Sequence, residues 1–290
     1  MSSRHSEADE PSLVTDPRLI GQIESENALA QYDEAMSLLE RKLATGERRI
    51  RQYEILSLHR TLMDRISASA GNFRPAGVKI RGSAHEPPRA DEVPRHVEEL
   101  CDYVNENWER RTSLHLASYA LWRINWIHPF ADGNGRTARI VSYLILCLHS
   151  GTRLPGTLTI PEQISRNKAP YYAALEHADA RSVAGDVDVS HLEDLVSKCL
   201  ATQLLDFYQK VSGQPVGANL DAQTRHELDR VLATVEKPAS FAAGPAEPIV
   251  VDEASRRGII GWFEKHPAIT AGLAALLAAL ILGTFTLLAG

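Results

Sequence analysis

Cysteine is scarce. Cys101, Cys147 and Cys199 are an odd number and lie far apart, so a disulfide scaffold does not suit them, and no Cys/His cluster has zinc spacing. They read as core thiols in a reducing compartment. A cationic excess is also missing: the net charge is −6 and the pI about 6.0. No basic stripe carries interleaved aromatics, which argues against nucleic-acid binding. Residues 1–11 contain no apolar run and are not expected to be a secretory signal; residues 1–13 are expected to be disordered. No internal repeat is present. What remains is 44% hydrophobic and 23% charged over 290 residues, which suits one domain with appendages.

The most informative segment is residues 128–139, His-Pro-Phe-Ala-Asp-Gly-Asn-Gly-Arg-Thr-Ala-Arg. Residues 116–127 are apolar and aromatic at helical spacing, with Trp122, Ile124 and Trp126 among them. Pro129 cannot continue a helix interior and biases His128 away from αR, so His128 is expected where a helix ends. Gly133 and Gly135 permit positive φ and Asn134 tolerates it, so their amides can converge into an anion nest. Residues 136–149 read as a second helix with Ile140, Leu144, Ile145 and Leu148 on its apolar face. The nest then lies at a helix N-terminus, where the dipole also favours an anion.

Each polar group has a use at such a site. His128 can accept a proton near neutral pH. Asp132 offers a hard oxygen to Mg²⁺, which binds through few carboxylates plus substrate phosphates. Arg136 and Arg139 are three apart, so both can reach one polyphosphate, and guanidinium forks match its oxygens two at a time. Taken singly, these features have ordinary readings: a helix-end histidine, a turn, a solvated basic face. Their order and spacing together indicate a nucleotide site.

The segment resembles the signature of the Fic (filamentation induced by cAMP) family, His-x-Phe-x-(Asp/Glu)-Gly-Asn-Gly-Arg-x-x-Arg. Leu58, His59 and Leu62, then Gly71 and Arg74, lead to Val78-Lys79-Ile80-Arg81-Gly82, which resembles the family's target-docking flap. Tyr171, Tyr172 and Leu175 look like the helix that closes the base pocket. The resemblance covers roughly residues 50–210. It implies an all-α Fic-fold helical bundle with a short β-hairpin flap, and transfer of AMP from ATP to a Ser, Thr or Tyr hydroxyl of a target protein. On that basis His128 deprotonates the hydroxyl and Asp132 holds Mg²⁺. The Gly133, Asn134 and Gly135 amides cradle the phosphates, with the Asn134 side chain on the α-phosphate. Arg136 takes the β-phosphate and Arg139 the γ-phosphate.

Many relatives carry an inhibitory helix with Ser/Thr-x-x-x-Glu-(Gly/Asn), whose glutamate pairs with the last arginine of the motif and can also serve reversal of the modification. Here the resemblance points to Glu26-Asn27, with Gln22 where Ser or Thr is expected; Glu24, followed by Ser25, offers a second register. A carboxylate on Arg139 would compete with the terminal phosphate of ATP. In this register Glu26→Gly is expected to raise AMPylation.

Residues 14–48 are expected to form the N-terminal helix region, its helix over 17–46 with Leu29, Met36, Leu39 and Leu43 apolar. Residues 49–212 form the Fic domain, with helices over 50–70, 94–108, 165–180 and 191–210 and a Pro/Gly/Arg-rich flap over 73–94. Residues 213–266 are linker and juxtamembrane segment, rich in Gly, Ala and Pro. Residues 267–290 carry no charged side chain, and 24 residues at 1.5 Å each span about 30 Å of hydrocarbon. Ten Leu, Ile or Phe residues there contribute roughly −3 to −6 kcal/mol to insertion. This predicts a single-pass C-terminal transmembrane tail anchor, with Trp262 at the interface and Arg256, Arg257 and Lys265 on a cytoplasmic flank beside the catalytic domain. Ala271, Ala275, Ala279 and Gly283 recur every four positions, which suits either close approach of two such helices as a homodimer or ordinary lipid-facing alanines.

Two other readings stay open: a Fic-type transferase using UTP, GTP or a CDP-linked donor, and a membrane-tethered scaffold whose nucleotide site is vestigial. The intact His128 argues against the second, because binding needs no base.

Overall fold

The computed structural model describes residues 5–7, 13–184 and 186–212. Among them are eight α-helices and two three-residue strands. The predicted transmembrane segment at 267–290, its flank and the linker lie outside the described residues, and no described helix is long and apolar enough to cross a membrane.

The chain divides into two compact units. The first comprises Met1–Trp108, Ser113–Arg153 and Ile160–Val196, and the motif lies wholly within it. The second comprises, among the described residues, Glu109–Thr112, Leu154–Thr159 and Ser197–Ser212. In the second, Gln203 Nε2 donates to the Pro155 carbonyl at 2.9 Å.

Helix α1, Pro17–Thr45, begins where punctuation predicts: the Asp16 carboxylate caps the Arg18 amide at 2.9 Å and Pro17 fills the first turn. It stops at Gly46, whose φ of 70° suits a left-handed cap. Its buried stripe is Ile23, Asn27, Gln31, Ala35, Met36, Leu39 and Lys42, whereas Leu29 is 70% exposed. Three members of that stripe are polar, and each has a fixed acceptor. Helix α2 is Gln52–Met63, and its C-terminal half presents carbonyls to α1. Asn27 Nδ2 donates to the Leu62 and Asp64 carbonyls at 3.1 and 2.7 Å, and Gln31 Nε2 to the Leu58 carbonyl at 3.1 Å. At the far end Lys42 Nζ meets the buried Glu54 carboxylate at 2.6 Å. These bonds set the axial register of α1 on α2, and so decide which α1 side chains reach the motif.

Helix α3, Val93–Glu106, packs on α4, Ser113–Ile127, and α4 packs most extensively on α5, Asn134–His149. The α4–α5 pair is the core, with Leu116, Ala120, Leu121, Ile140, Leu144 and Ile145 almost fully buried. Where one helix was expected over 165–180 there are two, α6 at Ile160–Arg166 and α7 at Ala169–Val183. Pro170 sits in the first turn of α7, so the chain restarts rather than continues. Trp122 on α4 donates its indole N–H to Asp179 on α7 at 3.0 Å. Helix α8, Ser190–Ser212, is the last described element. All three cysteines are buried thiols outside any disulfide, and burial pushes the Cys101 thiol up to about 12.

The flap differs from expectation. Strand β2, Lys79–Arg81, does not pair within a local hairpin; its partner is β1, His5–Glu7, from the segment expected to be disordered. The strands run antiparallel with His5 opposite Arg81, Ser6 opposite Ile80 and Glu7 opposite Lys79. Residues 83–89 include Pro87 and Pro88, which lack the N–H groups a returning strand needs. The edge of β2 is therefore open to another extended segment, and β1 pairs with it through main-chain bonds that need no apolar side chains.

Candidate active site

His128 terminates α4. Its amide still donates to the Ile124 carbonyl at 2.9 Å, but its φ is +51°, a conformation forced between a completed helix and Pro129. Phe130 then turns inward, fully buried, with its ring stacked on His59 of α2 at 3.6 Å. His59 Nδ1 accepts the Gly71 N–H at 3.0 Å, so the proton sits on Nε2, which donates to the Asp132 carbonyl at 3.1 Å. Gly133 caps α5 at φ 76°, and a Cβ there would lie 3.0 Å from Met63 Sδ and 3.1 Å from Leu62 Cδ2. Conformation and space both demand glycine.

Asn134 works on the loop itself. Its Oδ1 accepts the Phe130 N–H at 2.9 Å and its Nδ2 donates to the Phe130 carbonyl at 2.8 Å. This internal staple closes the turn and leaves the second hydrogen of Nδ2, which donates to Ser6 Oγ at 3.4 Å. The amides of Asn134, Gly135 and Arg136 open α5 and meet no acceptor among the described residues. They are the donors an anion would use.

The His128 ring has a defined direction. Nδ1 lies 3.2 Å from the Asn125 carbonyl, which can only accept, so Nδ1 carries the proton and Nε2 is the acceptor. Nε2 is 2.8 Å from Ser6 Oγ, whose hydroxyl therefore donates to it. Asn125 is itself fixed, with Nδ2 donating to the Leu121 carbonyl at 2.6 Å and to Tyr171 Oη at 2.7 Å.

His128, Asp132, Gly133, Asn134, Gly135, Arg136 and Arg139 line one cleft of about 360 Å³, together with Ile80 of the flap and Tyr171 and Tyr172 of α7. Arg139 has no ion-pair partner among the described residues, and burial lowers its pKa. Val78 and Ile80 of the flap are buried, whereas Lys79 and Arg81 point outward and Gly82 turns the chain at φ 77°.

Of the two glutamates expected as candidates for an inhibitory role, Glu24 and not Glu26 faces the cleft. Glu26 does not meet Arg139; its carboxylate pairs with Arg65 at 2.8 Å and accepts from Gln22 at 2.9 Å, outside the cleft. Glu24 lines the cleft instead, with Oε1 2.6 Å from Arg136 Nη1. Two helical positions differ by about 200° of rotation, so both glutamates cannot face one site. The face is set by Asn27, which docks on α2 one turn after Glu24. Arg136 also reaches Asp132 Oδ2 at 3.2 Å and so lies between two carboxylates.

With this geometry in view, the comparisons are specific. The profile of the Fic/DOC family matches residues 49–146, which contain α2, the flap, α3, α4, the loop and most of α5. Residues 49–146 are thus similar to the Fic/DOC family. A Drosophila persimilis protein named protein adenylyltransferase Fic is 27% identical over 230 residues, covering 78% of this chain and 42% of that protein. The chain thus spans less than half the length of that relative. Fic-1 of C. elegans superposes with a TM-score of 0.52 at 24% identity, over 66% of this chain and 54% of that one. A Fic family protein of Desulfovibrio desulfuricans superposes with a TM-score of 0.50 at 23% identity, over 75% and 60%. These structures share the fold.

One residue holds the loop and the flap together. Arg74 is 3% exposed and faces carbonyls: Nε donates to that of His128 at 2.8 Å, Nη1 to that of Ala76 at 2.8 Å and Nη2 to that of Pro88. Its amide adds a bond to the Pro129 carbonyl at 2.9 Å. Burial lowers its pKa, but three carbonyl dipoles satisfy the fork. Arg74→Ala should destabilise the domain by about 3 kcal/mol, since three charge-assisted bonds are lost and their carbonyls stranded. Arg74→Lys should recover little, because an ammonium cannot span the fork. Urea midpoints measure this; a loss below about 1 kcal/mol for Arg74→Ala would contradict it.

Proposed function

We propose that the chain is a protein adenylyltransferase that moves AMP from ATP to a side-chain hydroxyl, with Glu24 restraining it. The observation that carries this reading is the orientation of His128: its Nε2 accepts from a hydroxyl at 2.8 Å, beside a helix N-terminus with unpartnered amides and two arginines. In the reaction, Nε2 takes the hydroxyl proton while the oxygen attacks the α-phosphorus. The bond from that phosphorus to the β-phosphate oxygen breaks, and pyrophosphate leaves with the electron pair. Arg136 and Arg139 are the donors for the departing phosphates. The α5 amides hold the reacting phosphate.

The donor set also fits Mg²⁺. Asp132 is an exposed carboxylate at the mouth of the cleft, and Mg²⁺ uses one or two carboxylates and completes its shell with phosphate oxygens and water. Bound there, the ion would neutralise phosphate charge. Asp132 would have to release Arg136 to hold it.

The relatives' name, adenylyltransferase, supports ATP as donor. The donor is tested by supplying ATP, GTP, UTP and CTP in turn, each labelled at the α-phosphate, with Mg²⁺. ATP alone should label protein; preferential labelling from another nucleotide would make the chain a Fic transferase of that donor. Binding without labelling from any of them would favour the scaffold. For residues 267–290 we propose a membrane-spanning helix with the catalytic domain on the cytoplasmic side. Retention in membranes washed with alkaline carbonate supports it, and release by the wash rejects it.

A further inference from the structure

The established geometry leaves one hydroxyl unexplained. Ser6 stands 122 positions before His128 in sequence, yet its Oγ is 2.8 Å from His128 Nε2 and 3.4 Å from Asn134 Nδ2. It is half-buried and lines the cleft with the motif residues. It arrives there on β1, which adds to the open edge of β2 in antiparallel register, Ser6 opposite Ile80. This is how an extended peptide is recognised by a sheet edge: main-chain bonds set the register, and one side chain is delivered to a pocket. Because Asn125 fixes the proton of His128 on Nδ1, Ser6 donates and His128 accepts. That is the relation a general base has to its nucleophile before proton transfer, within the heavy-atom reach such a transfer requires.

We propose that Ser6 is a site of self-modification, adenylylated in cis by the chain's own Fic domain. The inference rests on the nucleotidyl-transfer reading above. His128 Nε2 takes the Ser6 Oγ proton, and Oγ forms a bond to the α-phosphorus of ATP. The bond between that phosphorus and the oxygen bridging to the β-phosphate breaks. The products are O-adenylyl-Ser6, pyrophosphate, and a proton on His128 that passes to solvent. No oxidant or further reactant is needed. While β1 occupies the edge of β2, the same edge is closed to an external segment, so Ser6 is both the nearest acceptor and a competitor of other targets.

The test uses the full chain with Glu24→Ala, ATP labelled at the α-phosphate, and Mg²⁺, followed by peptide mass mapping. The expected result is AMP on the peptide containing Ser6, formed at a first-order rate independent of protein concentration. Ser6→Ala should reduce that label to the level of His128→Ala, and Ser6→Thr should keep it. A labelled Ser6→Ala chain with AMP on the same peptide would overturn the proposal. So would a rate that rises with chain concentration, which marks transfer between molecules. AMP on other residues with Ser6 bare rejects Ser6 while leaving nucleotidyl transfer intact; no AMP on any residue rejects both.

Discussion

Replacing His128 is expected to slow AMP transfer by about 10² to 10⁴, the range for removing a positioned general base. The geometry predicts more than a loss. His128 sits at φ +51°, where alanine is strained and asparagine is tolerated better than most residues. His128→Ala should therefore lose activity together with some stability, roughly 1 kcal/mol. His128→Asn should keep the turn and lose activity alone, because its amide cannot take the hydroxyl proton. Nucleotide affinity should change little in either variant, since the amides of α5 and both arginines remain. The check is a rate measured beside a binding titration and a melting curve. A His128→Asn chain that retains more than about one tenth of the transfer rate would remove the base from the account.

The second large effect has the opposite sign. Glu24→Ala is expected to raise transfer by about 5- to 30-fold. Its carboxylate occupies Arg136 at 2.6 Å, and a triphosphate must either displace it or share the guanidinium with it. A charge-assisted bond is worth about 1.5–3 kcal/mol net, and partial exposure reduces this to about 1–2 kcal/mol. That is the stated range in rate. Alanine is the informative replacement because glycine in α1 would also loosen the helix by about 1 kcal/mol. Glu26→Ala is the control: its ion pair with Arg65 is exposed and lies outside the cleft, so the rate should stay within about twofold. Should Glu26→Ala activate and Glu24→Ala not, the register drawn from the structure would be wrong.

The sequence made the central site legible because its logic is local. Pro129 ends a helix, Gly133 takes the left-handed turn, and a second apolar period begins at once, with Gly135 already inside the new helix, so residues within twelve positions must share a corner. The limits of α1 were legible for the same reason: Asp16-Pro17 and Gly46 are local signals. The face of α1 was not. Asn27, Gln31 and Lys42 are buried because they serve carbonyls and a carboxylate of distant residues, and polarity disguised them as surface. That error carries directly into the glutamate. Counting positions from a motif favoured Glu26, whereas the phase set by Asn27 turns Glu24 inward. The staple from Asn134 to Phe130 was hidden similarly, since those bonds depend on the loop being closed. Strand β1 was beyond reach of pattern altogether: a strand added to an exposed edge bonds through its backbone and needs no alternation of apolar residues.

The most direct test of the account is to supply the Glu24→Ala chain with Mg²⁺ and ATP labelled at either the α- or the γ-phosphate. Attack at the α-phosphorus from the side of His128 predicts label retained on protein from α-labelled ATP, none from γ-labelled ATP, and none from either when His128 is replaced by Asn. Label arriving from the γ-phosphate, or α-label that persists without His128, would contradict it.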